Sequence, residues 1–139
     1  MENDRYRPAQ SALDRLEHVN FVAVIGPTGV GKSTLITEAI KRDPSLHLVL
    51  VSTSRYPRPG EQDGIDYKFE SRAHMEEQIF RGAYAQVAPS LFGDLYASAA
   101  EDYSTEGVAM MAVLADAMPV FRDLPFKSIR EIFVLPPDW

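Results

Sequence analysis

The sequence contains no cysteine among its 139 residues. Disulfide bonds and thiol chemistry are therefore excluded, and the absence is typical of a cytosolic protein. Histidine is scarce as well. His18, His47 and His74 have no spacing typical of a metal site, and no cysteine accompanies them, so we interpret them as surface or packing residues.

The sequence also has few positively charged residues and no long apolar run. The chain has 14 lysines and arginines against 20 aspartates and glutamates, a formal net charge of −6, whereas a general nucleic-acid binder usually presents a basic surface. The longest apolar run, residues 108–115, is far shorter than the ~20 residues that cross a bilayer. Residues 1–10 are polar and lack the apolar core of a secretory signal. We expect a cytoplasmic protein without nucleic-acid or membrane partners.

What is present is the composition of one ordinary domain, with 45% hydrophobic and 24% charged residues. Predominantly apolar segments predict four core strands, at residues 21–25, 46–51, 108–114 and 129–135, the last of which also contains Arg130 and Glu131. The second run is apolar on both faces, which is typical of a central parallel strand. Helical patterns at residues 11–18, 32–42 and 116–124 alternate with these strands. The alternation predicts an α/β fold in which helices flank a parallel sheet.

Residues 53–105 differ in character from this core, which we place at about residues 19–52 and 106–137. A polar, turn-rich segment at 52–66 precedes a short extended piece at 67–69. Ser71 is a suitable N-cap for a helix through Arg81, and Gly82 a suitable terminator. Short strands at 83–88 and 96–97 follow. The pattern predicts a smaller subdomain inserted into the single domain.

The most informative stretch joins the first predicted strand to the helix at 32–42, and it reads Gly26-Pro27-Thr28-Gly29-Val30-Gly31-Lys32-Ser33-Thr34. This spacing and context are those of a phosphate-binding P-loop. Its glycines allow a tight turn whose N–H groups point at anionic oxygens, and the helix N-terminus adds the positive end of its dipole. Lys32 would reach the β- and γ-phosphates, and the Ser33 hydroxyl would ligate Mg²⁺. The sequence therefore predicts nucleotide binding.

The insertion carries a second signature, Ser52-Thr53-Ser54-Arg55-Tyr56-Pro57-Arg58-Pro59-Gly60-Glu61, followed by Gly64, Asp66, Tyr67 and Phe69. Two shorter motifs come later, Phe92-Gly93-Asp94-Leu95-Tyr96 and Ile132-Phe133-Val134-Leu135-Pro136-Pro137. In this order after the P-loop, they resemble the GMP-binding region, the Phe-Gly-Asn-Tyr-Tyr element and the next core strand and turn of guanylate kinases. The resemblance covers about residues 21–137.

This resemblance implies a P-loop fold with a subdomain that binds a nucleoside monophosphate, and transfer of a phosphoryl group from ATP to GMP or a related small phosphorylated acceptor. Arg55 and Arg58 would clamp the acceptor phosphate, because paired guanidinium groups suit phosphate geometry. Tyr67 and Tyr96 would donate hydrogen bonds to the same phosphate. The P-loop would hold ATP with Mg²⁺, and the two nucleotides would meet for in-line transfer, with Lys32 and Arg55 as catalytic residues.

Several positions depart from the family pattern. Val51 replaces a serine that helps to read guanine, and the base-reading glutamate falls at Gln86, whose amide lacks the carboxylate that accepts from two guanine donors. Two aspartates of the family fall at Val113 and Ala115. Asp116 would replace one of them only after a one-residue strand shift, which also reverses the face that a side chain occupies. The phosphate-binding half is kept, and the base-reading half is lost.

The resemblance also implies elements that this sequence lacks. Guanylate kinases continue past the Leu-Pro-Pro turn into an arginine-bearing lid, further helices and a last core strand, whereas this sequence stops at Trp139. Since such an arginine is worth ~10³–10⁵ in the rate of related phosphoryl transfers, we expect impaired activity unless a protein partner supplies the lid.

The sequence is therefore compatible with three functions to different degrees. The first is a nucleoside monophosphate kinase, and the second is a guanylate-kinase-like nucleotide-binding or protein-interaction module without catalysis. A GTPase or transport ATPase is less consistent with the sequence, which contains no Asp-x-x-Gly or Asn-Lys-x-Asp motif.

Overall fold

Two β-sheets organise residues 5–89 and 93–137, which are the residues that the computed structural model describes. Each sheet belongs to its own compact unit. The P-loop unit consists of Leu16–Val49 and the described residues from Tyr103 onward, and the arginine-loop unit consists of Leu50–Asp102 and the described residues up to Arg15. None of the helices in the described ranges combines the length and the apolar character needed to cross a lipid bilayer.

The regular elements follow each other in the order α1, β1, α2, β2, β3, β4, α3, β5, β6, β7, α4, β8, with single 3₁₀ turns at Ala100–Asp102 and Ala115–Ala117. The helices are α1 (Gln10–Leu16), α2 (Lys32–Arg42), α3 (Arg72–Arg81) and α4 (Met118–Arg122). The strands are β1 (Asn20–Ile25), β2 (Leu46–Leu48), β3 (Ser52–Thr53), β4 (Lys68–Phe69), β5 (Tyr84–Pro89), β6 (Leu95–Ala99), β7 (Val108–Val113) and β8 (Ser128–Phe133).

The P-loop unit is built on a parallel sheet with the strand order β2-β7-β1-β8. Because side chains alternate across a strand, Val24 and Phe21 of β1 serve opposite faces. Val24 packs with Ile36 of α2, whereas the Phe21 ring stacks 5.7 Å from that of Phe121 in α4. Helices thus cover both faces of the sheet. The predicted α/β fold with a parallel sheet is confirmed.

The predicted central strand at residues 46–51 is wrong in both length and place. The observed strand β2 has three residues and lies at an edge of the sheet, where His47 is exposed and Leu48 is 46% exposed. The Val49 N–H still donates to Met110 O at 2.8 Å, but Ser52 and Thr53 pair in the other sheet. A mostly apolar segment is compatible with either arrangement, since hydrophobic periodicity does not mark where a chain leaves a sheet.

The arginine-loop unit contains a mixed sheet with the strand order β4-β3-β6-β5. Met75 of α3 packs against Tyr84, Leu95 and Ala97 of that sheet. The predicted ends of this helix are confirmed: the Ser71 hydroxyl accepts from His74 N–H at 3.1 Å, and Gly82 ends the helix at φ 70°. The polar segment at 52–66 begins differently from the prediction, because Ser52 and Thr53 form the buried strand β3.

Candidate functional site

The P-loop connects the carboxyl end of β1, Ile25, to the first residue of α2, Lys32. Gly31 precedes the helix at φ 102°, a left-handed conformation that side chains disfavour. Gly26 is needed for space: a Cβ there would lie 2.6 Å from Val134 O. The glycines of this motif therefore serve the turn itself.

Donor groups for an anion gather where this turn enters α2. The first N–H groups of a helix have no acceptor within the helix, and here they belong to Lys32, Ser33 and Thr34. No acidic residue lies in the first turn of α2, so the positive end of its dipole is unopposed there. Pro27, Thr28, Gly29, Ser33 and Thr34 are exposed, whereas Val30 is partly buried. This donor set suits a polyphosphate. Because Ser33 is exposed, a metal ion from solution can reach its hydroxyl.

Lys32 carries the positive charge of this loop. Its amino group donates to the carbonyl oxygen of Gly26, and to that of Pro27 at 3.4 Å. Burial lowers the pKa of Lys32 from its ordinary value, because water stabilises the ammonium less there. The side chain is thus folded over the loop, where it can face the phosphates of a nucleotide.

The arginine loop, residues 54–66, lies in the other unit and is centred on the Arg55 guanidinium. Nε donates to the Tyr96 hydroxyl at 3.1 Å, and the two terminal nitrogens donate to the two carboxylate oxygens of Glu61 at 2.7 and 3.1 Å. The guanidinium carbon lies 5.1 Å from the centre of the Tyr67 ring, a cation–π distance. The structure therefore brings Arg55, Tyr67 and Tyr96 together, as the resemblance implied.

Arg58 and Gln86 are placed less tightly. The Arg58 side chain is exposed, while its backbone N–H donates to the Glu61 carboxylate at 2.7 Å. Gln86 of β5 is partly buried and pairs in register with Ser98 of β6. Tyr96 lies two residues before Ser98, so alternation puts Gln86, Ser98 and Tyr96 on one face of the sheet. Phe92, the first residue of the motif around Tyr96, lies outside the described residues.

The positions that depart from the family pattern are also placed. Val51 is partly buried, and its carbonyl oxygen accepts from Lys68 N–H at 2.9 Å. Val113 ends β7 opposite Ile25 of β1 and is buried, so this position beside the P-loop strand offers no carboxylate. Ala115 and Asp116 are exposed in the 3₁₀ turn that follows. Asp116 is thus near in sequence to Val113 but outside its strand.

Sequence reasoning assigned no role to Glu61, although it stands within the quoted signature. Its carboxylate joins the Arg55 side chain to the Arg58 backbone, and these hydrogen bonds, with that of Arg55 the strongest, lower the pKa of Glu61 to about 2. Glu61 and Tyr96 in turn raise the already high pKa of Arg55. The available signal was an acidic residue three positions after one arginine and six after another.

A separate cavity of about 100 Å³ lies within the arginine-loop unit, and Ser52, Lys68, Glu70, His74 and Tyr84 are among its lining residues. Ser52 and Lys68 pair with each other, and the next pair, Thr53 and Phe69, points to the other face of the sheet. None of the residues that the sequence predicted for substrate binding lines this cavity.

Comparisons with known proteins give a consistent result. A family model described as guanylate kinase matches residues 18–137. The guanylate kinase of Mycolicibacterium paratuberculosis is 33% identical over 128 residues, which cover 85% of this chain and 55% of the relative. That of Nostoc sp. is 34% identical over 124 residues, which cover 86% of this chain and 61% of the relative. That of Streptomyces coelicolor is 35% identical over 124 residues, which cover 82% of this chain and 59% of the relative.

A solved structure agrees at the level of the fold. The crystal structure of guanylate kinase from Anaplasma phagocytophilum superposes with a TM-score of 0.63 at 18% sequence identity, covering 86% of this chain and 61% of that one. The chain spans 55 to 61% of the length of the three curated relatives named above.

Proposed function

The chain belongs to the guanylate kinase family, and on this premise we propose that it binds ATP with Mg²⁺ at the P-loop and GMP or a related small phosphorylated acceptor at the arginine loop. We further propose that it transfers the terminal phosphoryl group from ATP to the acceptor, in the cytoplasm. In this reaction an oxygen of the acceptor phosphate forms a bond to the γ-phosphorus, the bond to the β-phosphate oxygen breaks, and ADP leaves. The cluster of Arg55, Tyr67 and Tyr96 is the observation that carries the proposal.

The P-loop is assigned the donor nucleotide. Its backbone N–H groups and the N-terminus of α2 would hold the phosphates, and Lys32 would neutralise the charge on the β- and γ-phosphates. Ser33 would contribute a hydroxyl ligand to Mg²⁺, which would supply positive charge against that of the phosphates. Each of these groups is provided by residues 26–34, so the assignment depends on one continuous segment.

The arginine loop is assigned the acceptor phosphate. Tyr96 accepts a hydrogen bond from Arg55, so its own hydroxyl proton is available to donate to a phosphate oxygen. Arg58 presents an exposed guanidinium, and Arg55 presents a fixed one. Two cations, together with the donor hydroxyls of Tyr96 and Tyr67, suit a dianionic phosphate ester. This half would therefore bind the phosphate whatever base the acceptor carries.

Gln86 bears on the choice of base. A carboxylate accepts two hydrogen bonds from the guanine edge, whereas an amide offers one acceptor and one donor, a pattern that matches the adenine edge. We therefore place Gln86 among the acceptor-binding residues and expect weaker selection for GMP than a glutamate would give.

A second candidate is a guanylate-kinase-like nucleotide-binding or protein-interaction module without catalysis. The observation that favours it is Val113, a buried aliphatic residue at the end of β7 where the family pattern has a carboxylate. This module would bind the same nucleotides without turnover. Both candidates predict nucleotide binding, so binding measurements do not distinguish them. A measurement of phosphoryl transfer does.

Calorimetric titration of Mg–ATP, GMP and AMP tests the binding half. We expect saturable binding of Mg–ATP and of GMP to the wild type, with GMP preferred over AMP by less than about tenfold. Gln86→Glu should raise that preference at least about tenfold, the discrimination typical of one well-placed polar pair to a base. Gln78→Glu, on α3 of the same unit, is the matched control and should leave the preference unchanged. Absence of GMP binding by the wild type would contradict the proposal.

A further inference from the structure

The Glu61 carboxylate connects the two arginines of the candidate acceptor site. One of its oxygens accepts from Arg55 Nη1 and from the Arg58 backbone N–H, each at 2.7 Å, and the other accepts from Arg55 Nη2 at 3.1 Å. The Glu61 N–H donates to Arg58 O at 3.0 Å and closes a turn that contains Gly60 at φ 87°. One side chain thus holds the Arg55 guanidinium and the Arg58 backbone in the loop.

Arg55 is held in this arrangement by four of its five N–H groups. Of its five N–H groups, Nε uses one on Tyr96, Nη1 uses two on Glu61 and the Tyr56 carbonyl, and Nη2 uses one on Glu61. One N–H on Nη2 therefore has no acceptor among the described residues. The side chains of Arg55 and Glu61 are 10% and 21% exposed, so water competes little for their hydrogen bonds. A guanidinium fixed in this way offers a ligand its charge and one oriented donor.

The Glu61–Arg55 pair can affect phosphate binding in two opposite ways. Glu61 could compete with the phosphate for Arg55, or it could hold Arg55 in the position that a phosphate needs. Displacing Glu61 would break three of its hydrogen bonds at once, including one to the Arg58 backbone. The pKa of Glu61 is about 2, so the carboxylate remains ionised throughout the pH range of an assay. These facts favour a permanent partner over a displaceable one.

We propose that Glu61 is a positioning residue for the acceptor phosphate, which acts by orienting the Arg55 guanidinium and the Arg58 backbone in one loop. The inference rests on the proposed function, since it concerns the same acceptor site. Glu61 itself does not touch the phosphate. Removing its charge frees Arg55 to rotate and opens the turn at Gly60. GMP must then order both on binding, and this loss of conformational entropy weakens its affinity.

The test compares Glu61→Gln with Glu77→Gln. Both variants remove a carboxylate that is paired with an arginine in the arginine-loop unit, but Glu77 pairs with Arg81 on the exposed face of helix α3. We expect Glu61→Gln to raise the dissociation constant of GMP about tenfold or more, as for loss of a charge-assisted hydrogen-bond network, and to leave that of Mg–ATP unchanged. In turnover, KM for GMP should rise more than kcat falls. Glu77→Gln should match the wild type in all of these.

The outcomes separate the inference from the proposed function. A wild type that fails to bind GMP contradicts the proposed function. A wild type that binds GMP, with equal or tighter binding by Glu61→Gln, overturns the inference alone, and tighter binding would mean that Glu61 competes with the phosphate. If Glu61→Gln fails to fold, Glu61→Asp replaces it. That variant keeps the charge but is too short to reach both Arg55 and Arg58, so weaker GMP binding is again expected and unchanged binding overturns the inference.

Discussion

Lys32→Ala is expected to weaken Mg–ATP binding about 100-fold, which corresponds to ~2.7 kcal/mol. The reason is that Lys32 is the cation of the P-loop, held over it by the carbonyl oxygens of Gly26 and Pro27. Partial burial withdraws the ammonium from water, which lowers the pKa of Lys32 and lets its charge act on a bound phosphate with less screening. Calorimetric titration of each folded protein with Mg–ATP measures the effect.

Lys41→Ala is the matched control for this prediction. Lys41 lies in the last turn of the same helix and pairs with Glu38 on an exposed surface, where ion pairs contribute little. It should bind Mg–ATP as the wild type does. If Lys32→Ala also binds Mg–ATP as tightly as the wild type, the P-loop is not the site of the triphosphate.

Arg55→Lys is expected to lower GMP-dependent kcat/KM about 100-fold or more, although it keeps the positive charge. A lysine ammonium is unable to reproduce the planar fork that meets both oxygens of Glu61 while donating to Tyr96. Glu61 would then lose its bidentate partner and Tyr96 its fixed donor. Mg–ATP binding should stay unchanged, and steady-state kinetics with GMP as the varied substrate measures the effect.

Arg81→Lys controls for the general effect of replacing an arginine in this unit. Arg81 pairs with Glu77 through a single exposed contact, so its substitution should leave kcat/KM unchanged. An Arg55→Lys variant with the kinetics of the wild type would show that the fork of Arg55 has no part in binding the acceptor.

Local signals predicted much of this fold. The bounds of α2 follow from the P-loop glycines before it and the Asp-Pro break after it, and those of α3 follow from the Ser71 cap and Gly82. Each of these helix ends depends on residues within a few positions of one another, so the local sequence is sufficient to predict it. The family was predicted for a similar reason, because its motifs are contiguous and their order along the chain can be read directly.

Long-range pairing was where the sequence was insufficient. Residues 46–51 are apolar apart from His47, yet β2 ends at Leu48 and Ser52 begins a strand of another sheet. The position of β2 at the sheet edge depends on its pairing with β7, some 60 residues later in the chain. Hydrophobic periodicity reports which faces are apolar and carries no information on the order of the strands.

The candidate site shows the same division. The residues of the P-loop are adjacent in sequence, and their place between β1 and α2 was predicted as a unit. The contact between Arg55 and Tyr96 spans 41 positions and was expected only because of the family resemblance. The role of Glu61 depends on how the loop closes around Gly60, which composition and spacing do not specify. The roles of all these residues toward nucleotides stay predictions.

The most direct test of the central proposal is transfer of label from [γ-³²P]ATP to GMP by the wild-type protein, with Lys32→Ala as the background. The proposal predicts labelled GDP that forms in proportion to enzyme, requires Mg²⁺ and falls to background in Lys32→Ala. Titrations that show both nucleotides bound, with no labelled GDP above that background, would contradict phosphoryl transfer and identify the chain as a nucleotide-binding module.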